Sequence, residues 1–299
     1  LIGIHLGTSY NDSEQQGLVS NFLEELVRLG WVDGRTARIE QRWGEGDNAR
    51  IKTNIAELAA LAPDIIFAQG TPLVTELRRT PSTVPIVFVN VADPIASGFA
   101  QSFNRPGGNA TGFTNYELSI ASKWLELLRE VTPSLASVLI VTNPDNVVGS
   151  RLADEVGRVA HSVGLQSQTI QIRSRADVER RFDVSPPGPN VGIVVIPDFV
   201  TTAHRDAIIE RANRARAPSV FPFRSSAMSG GLLAYSIDQA DTFRKAAGYV
   251  DRILRGAKTA ELPIQGPDEF QLIINLKTAK TLGLAIPTTL LARADEVIE

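Results

Sequence analysis

Short apolar runs rich in β-branched residues alternate with longer amphipathic stretches from one end of the chain to the other. This is the pattern of a parallel sheet whose strands are joined by crossover helices. The first unit pairs a strand at 2–6 with a helix near 12–29, in which Phe22, Leu23, Leu26 and Leu29 recur at helical spacing before Gly30 ends it. A strand at 36–43, a helix at 47–61, a buried strand at 64–68, a short helix after Pro72 and a strand at 84–89 follow. They belong to a half expected to hold five strands and to be doubly wound. A polar, turn-rich passage over 104–109 then leads to Thr114, Asn115 and Tyr116, where the chain is predicted to cross into a second lobe.

Beyond it the alternation restarts: helix 119–131, strand 137–142, helix 149–163, strand 166–172, helix 176–182, strand 191–196 and helix 201–216. After Gly230 and Gly231 come a strand at 232–237, a long helix at 238–255, a strand at 270–274 and short closing helices. The predicted fold is α/β, two doubly wound parallel-sheet lobes joined by a multi-strand hinge. Lobe I takes 1–115 with about 236–263, and lobe II takes about 116–235 with 264–299. The ligand cleft is expected between them, because several crossings that flex together make a hinge.

A chain of 299 residues that is 43% hydrophobic can bury two cores of ordinary size. Thirty basic against 33 acidic residues leave a formal charge of -3, so no global field recruits nucleic acid or an anionic membrane. The absence of cysteine excludes disulfide scaffolds and thiolate chemistry. No apolar run approaches the roughly 20 residues that span a bilayer. The chain opens on a strand-like run, so a signal segment is expected to lie outside it.

Ligands of doubly wound domains bind beyond the carboxyl ends of the strands, which directs attention to the loops there. Thr8 and Ser9 follow the first strand, and Gly70 and Thr71 follow the third at a helix start; hydroxyls and free N–H groups suit a carboxylate. The same residues also suit ordinary helix capping. Asp93, ahead of Pro94, and Asp198 follow strands in opposite halves and offer one carboxylate each for a ligand ammonium, although Asp before Pro is equally turn chemistry. Thr114, Asn115 and Tyr116 at the crossing, and Asn143 after the first strand of the second half, complete the candidate set, with Asp145 beside it.

Other motifs carry less. The run from Gly44 to Ala49 fits the loose G-x-G-x-x-A dinucleotide pattern, but Glu45 and Asp47 would set negative charge against a pyrophosphate; a capped loop is the better reading. His5, His161 and His204 lack metal-ligand spacing, and neither a nucleophile elbow nor a phosphate loop occurs, so no metal, cofactor or catalytic residue is expected.

Six segments carry a family resemblance: Val91-Ala92-Asp93-Pro94; Asn104 to Gly112; Lys123-Trp124-Leu125-Glu126-Leu127-Leu128; Ile274 to Lys280; Leu282 to Pro287; and the ending from Leu291 to Glu299. Together they resemble the ABC-transporter substrate-binding family that includes tryptophan- and tyrosine-binding receptors. That resemblance implies a type I periplasmic-binding-protein fold and a periplasmic or otherwise extracytoplasmic location, free or lipid-anchored. It also implies an aromatic L-amino acid ligand, a permease with its ATPase as partners, and a monomer that catalyses nothing. A ligand-sensing domain of a receptor or regulator, or an enzyme on the same architecture, are the competing readings. On the leading one, the ligand carboxylate is expected near Ser9, Gly70 and Thr71 and its ammonium at Asp198, assisted by Asp93.

Overall fold

The computed structural model describes residues 1–299 apart from 81, 116, 117, 185, 186, 189, 268 and 269. The chain divides into two compact units, Leu1–Tyr116 with Asp238–Asp268, and Glu117–Ile237 with Glu269–Glu299.

In the first unit β1 (Ile2–Leu6), α1 (Ser13–Arg28), β2 (Ile39–Trp43), α2 (Asn48–Ala60), β3 (Ile65–Gln69), α3 (Thr71–Arg79), β4 (Ile86–Val91) and β5 (Ala110–Thr114) follow in order. The sheet runs β2-β1-β3-β4-β5 with every pair parallel. β1, β3 and β4 are buried throughout because helices cover both faces, which explains their unbroken apolar runs. Asp12 and Asp47 cap α1 and α2 by accepting from the first free N–H groups of each helix.

The second unit contains α4 (Ile120–Val131), β6 (Ser137–Thr142), α5 (Val147–Ser162), β7 (Gln166–Gln171), α6 (Arg175–Val184), β8 (Val191–Val195), α7 (Phe199–Ala203), α8 (Arg205–Arg214), β9 (Ser219–Phe221), α9 (Arg224–Met228) and β10 (Leu233–Ile237). The chain then returns to the first unit for α10 (Gln239–Leu254), which packs on α1 over β3. Phe67 is stacked on Phe22 at 4.2 Å and meets Phe243 of α10 edge-on at 5.3 Å, so this late helix completes the first core. β11 (Phe270–Asn275), α11 (Leu276–Leu282), α12 (Thr288–Leu291) and β12 (Glu296–Ile298) finish the second unit. Its sheet is ordered β12-β11-β10-β9-β8-β6-β7.

Several boundaries differ from the sequence reading for local reasons. The strand expected from Thr36 begins at Ile39, because the Thr36 hydroxyl is taken into a turn, accepting from Val32 N at 2.7 Å and donating to Gly30 O at 2.6 Å. The helix expected over 201–216 is two helices that meet at His204. β5, between the turn-rich passage over 104–109 and the predicted crossing, and the three-residue strands β9 and β12 have no counterpart in the pattern of apolar runs. β11 runs antiparallel to β10, so the second sheet is not purely parallel.

Candidate functional site

Both sheets share one topological feature. In the first unit β1 lies between β2 and β3, and in the second β6 lies between β7 and β8, so the strand order reverses direction at β1 and at β6. Such a switch point opens a crevice at the carboxyl ends of the two central strands, where loops part to opposite faces. Thr8, Ser9, Gly70 and Thr71 stand at the first switch point, and Asn143 and Asp198 at the second.

In the first unit the loops are built tightly. Gly44 N donates to Leu6 O at 2.7 Å, Glu45 N to Thr8 O at 3.1 Å and Gly46 N to Gly7 O at 2.8 Å, which locks the loop after β2 against that after β1. Glu45 accepts from Tyr10 N at 3.0 Å and from the Ser9 hydroxyl. Burial pushes the Glu45 carboxyl up, but these bonds and nearby Arg50 outweigh it and hold the group below its ordinary pKa. Ser9 is therefore committed to its own loop, where it also accepts from Asn11 N at 3.2 Å. The run from Gly44 to Ala49 is the capped loop expected of it, with Asp47 accepting from Ala49 N and Arg50 N. Tyr10 meets Trp43 edge-on at 5.5 Å.

Gly70 has φ 90, a conformation that a side chain disfavours, and its N–H donates to Val89 O at 2.9 Å. The Thr71 hydroxyl accepts from Ala92 N at 3.0 Å, tying the end of β3 to the end of β4 and leaving its own proton for another acceptor. Asp93 is exposed, takes φ 42 and accepts from Ala96 N at 3.0 Å, while Pro94 O accepts from Phe99 N at 2.8 Å. This pair has the geometry of a turn. Thr114 N donates to Gln265 O at 2.9 Å, and Tyr116 lies outside the described residues.

Among the described residues of this unit five side-chain oxygens are buried without a hydrogen-bond partner: Ser97 Oγ in the turn after β4, and Thr8 Oγ1, Gln69 Oε1, Asn90 Oδ1 and Asn115 Oδ1 at the edge of the sheet. The last four come from the carboxyl ends of β1, β3, β4 and β5, which are neighbours in the sheet. Gln69 and Asn90 escaped the sequence reading. The signal available was a polar residue at or near the end of an otherwise apolar strand, Ile-Ile-Phe-Ala-Gln and Ile-Val-Phe-Val-Asn-Val. Asn90 takes φ 55 where the pairing of β4 with β5 shifts register, so a bulge re-aims its side chain.

In the second unit Asp198 caps α7. Its Oδ1 accepts from Val200 N at 2.7 Å and Asn143 Nδ2 at 2.9 Å, and its Oδ2 accepts from Asn146 Nδ2 at 2.9 Å. Asn146 in turn caps α5, accepting from Gly149 N at 3.0 Å. The carboxylate thus clasps the loop after β6 to the loop after β8. Burial raises its pKa above the ordinary 3.8, against the opposing pull of these bonds. Asp145 is outside the clasp, exposed and paired with Arg173 at 3.0 Å. A groove of about 540 Å³ lined by Leu125, Arg129, Arg158 and Val163 belongs to α4 and α5, away from the carboxyl edge.

His5 is wholly buried within β1, its Nδ1 3.2 Å from Leu6 O and its Nε2 3.4 Å from Ile51 O. A neutral imidazole can donate to only one of these carbonyls. Desolvation dominates the two carbonyl contacts and lowers the pKa from 6.5 to about 4. A proton then binds the unfolded chain more readily than the folded one, so stability present above pH 6.5 is lost as the pH falls toward 4. The loss is worth about 3 kcal/mol. Thermal midpoints measured from pH 7 to 4 are expected to fall more steeply for the wild type than for His5→Asn; parallel slopes would exclude this origin.

Among the described residues no group of three or more His, Cys, Asp or Glu could hold a metal ion, and no helix is long and apolar enough to cross a membrane.

Comparison with known proteins gives a consistent result. Residues 11–298 match the family described as ABC transporter substrate binding protein. A tyrosine-binding protein of Clostridioides difficile is 25% identical over 264 residues, covering 88% of this chain and 75% of that one. Among solved structures, an ABC domain from Streptococcus pneumoniae in complex with L-Trp superposes with a TM-score of 0.91 at 23% identity, over 99% of both chains. A ligand-free, open substrate binding protein with adhesive properties from Clostridium difficile gives 0.71 at 21% identity, over 99% of this chain and 98% of that one.

Proposed function

The chain belongs to the ABC transporter substrate-binding protein family, an extracytoplasmic family of binding proteins rather than enzymes, and we propose that it captures a free aromatic L-amino acid. It acts as a monomer and delivers this ligand to a membrane permease powered by an ATPase. The observation that carries the ligand class is the relative that matches across most of the chain and is named for binding tyrosine. The L-Trp complex that shares the fold points the same way. The site offers suitable chemistry: Tyr10, exposed and braced edge-on against the buried Trp43, supplies an aromatic surface in the loop that holds Thr8, and the crevice edge supplies neutral hydrogen-bonding groups rather than a field of one sign.

Calorimetric titration against tryptophan, tyrosine, phenylalanine, leucine and glucose tests the reading. Saturable binding of tryptophan or tyrosine, with leucine weaker and glucose silent, is expected. Binding of glucose with no response to any amino acid would replace the assignment with a sugar.

A further inference from the structure

Resting on the amino acid reading, we propose that the first unit receives both charged groups on the ligand's α-carbon. The carboxylate is met at Thr71 and the start of α3, and the ammonium by oxygens drawn from Thr8, Gln69 and Asn90. Asp198 is then a structural clasp rather than the counter-ion.

The four oxygens are the starting point. Their residues are only 7%, 3%, 9% and 9% exposed respectively, yet none of the oxygens has a donor. A buried acceptor left unpaired is costly, and such groups are rare unless something else completes them. Here they occur one per strand on four neighbouring strands, all at the carboxyl edge. With strands about 4.8 Å apart, they form a row rather than a scatter.

What they lack is a donor. The amide nitrogens of Gln69 and Asn90 are already committed, donating to Gln15 Oε1 at 2.8 Å and Gln239 Oε1 at 2.9 Å. Those bonds orient both amides with the oxygen left over. The group that brings donors and no acceptor is an ammonium, whose three N–H bonds can take up as many as three oxygens of the row.

Position argues the same way. In an α-amino acid the ammonium and the carboxylate hang on one carbon. If the carboxylate sits at the turn from β3 into α3, where Thr71 has a proton to give, the ammonium must lie within about one strand spacing of it. Thr8 and Asn90, at the ends of the two strands that flank β3, meet that condition together with Gln69 on β3 itself; Asn115 stands one strand further out.

Charge is the remaining consideration. The zwitterion carries its own counter-ion, so neutral oxygens suffice for its ammonium. The acids in these loops are otherwise engaged: Glu45 accepts from Tyr10 N and the Ser9 hydroxyl, and Asp93 accepts from Ala96 N. Asp198 already accepts three protein hydrogen bonds.

Thr8→Val is the sharpest test, because it removes a hydroxyl oxygen that accepts no intramolecular bond while keeping the side chain's shape. Its thermal midpoint is expected to equal or exceed that of the wild type. Its affinity for L-tryptophan should fall roughly tenfold or more, while that for indole-3-propionate, which keeps the carboxylate and lacks the amine, stays the same. Asn90→Ala, on the strand that flanks β3 from the other side, should show the same selective loss. A structural perturbation would weaken both probes alike, and that result in both variants overturns the proposal. So does a wild type that binds indole-3-propionate as tightly as tryptophan. If the wild type ignores aromatic amino acids but binds another amine-bearing solute with the same variant pattern, the ligand class fails and the ammonium site stands. Binding only of amine-free ligands removes both.

Discussion

Gly112→Ala is expected to abolish stable folding of the first unit. Gly112 lies in β5 opposite Phe88, and a Cβ built there would stand 2.0 Å from Phe88 O and 2.7 Å from Phe88 N. These are backbone atoms of the neighbouring strand, so no rotamer change relieves the clash. The residue also takes φ 151, which side chains rarely adopt. Relief therefore requires β5 to leave β4. That would disturb the bond from Gln265 N to Gly112 O at 2.9 Å, and with it the return of the chain from α10 toward the second unit. The expected cost is on the order of 4 kcal/mol, a drop of about 10 °C or more in thermal midpoint, and most of the protein is expected in the insoluble fraction. A soluble variant melting within about 2 °C of the wild type would show that the strand gives way cheaply.

Removal of the carboxylate at position 198 is the other large effect. Asp198→Ala leaves Val200 N, Asn143 Nδ2 and Asn146 Nδ2 without their acceptor, in a place where water reaches poorly. Each orphaned donor costs about 1 kcal/mol or more, so a loss of about 3–4 kcal/mol is expected. Asp198→Asn keeps one acceptor and should lose less. The pH dependence has a definite sign. Burial raises the folded pKa, so the folded protein prefers the protonated carboxyl, and this group's contribution to stability grows as the pH falls through the folded value toward the unfolded 3.8. The wild type should therefore gain on Asp198→Asn under acid. Urea titrations of wild type and both variants at pH 7 and 5 measure this; equal midpoints for wild type and Asp198→Ala would mean that the clasp contributes nothing.

The difference between the two switch points bears on what could be read in advance. The alternation of apolar runs and amphipathic stretches located the buried strands well, with β6 found at its observed bounds, because strands covered on both faces must be continuously apolar. Ala110–Thr114 was hidden by Gly112, a residue that weakens a strand in isolation and is needed here only because Phe88 comes so close. Ser219–Phe221 and Glu296–Ile298 are too short to show any period. The antiparallel entry of β11 is a choice of direction, which periodicity does not encode.

For the candidate site, the rule that ligands meet strand carboxyl ends led to Thr8, Thr71, Asn143 and Asp198. Their division of labour was not legible. The N-capping role of Asp198 depends on Asn143 and Asn146, which are 55 and 52 residues away in sequence. In the same way, the unpaired state of Gln69 and Asn90 becomes visible only once Gln15 and Gln239 have taken their amide nitrogens.

The central claim, a receptor for a free aromatic amino acid, is met most directly by releasing and identifying whatever small molecule stays with the protein. Purified without denaturation, then denatured and analysed by mass spectrometry, it is expected to yield L-tryptophan or L-tyrosine in an amount approaching one per chain, displaced beforehand by excess of the other. Recovery of a sugar or nucleoside at that stoichiometry, undisturbed by either amino acid, would contradict the account.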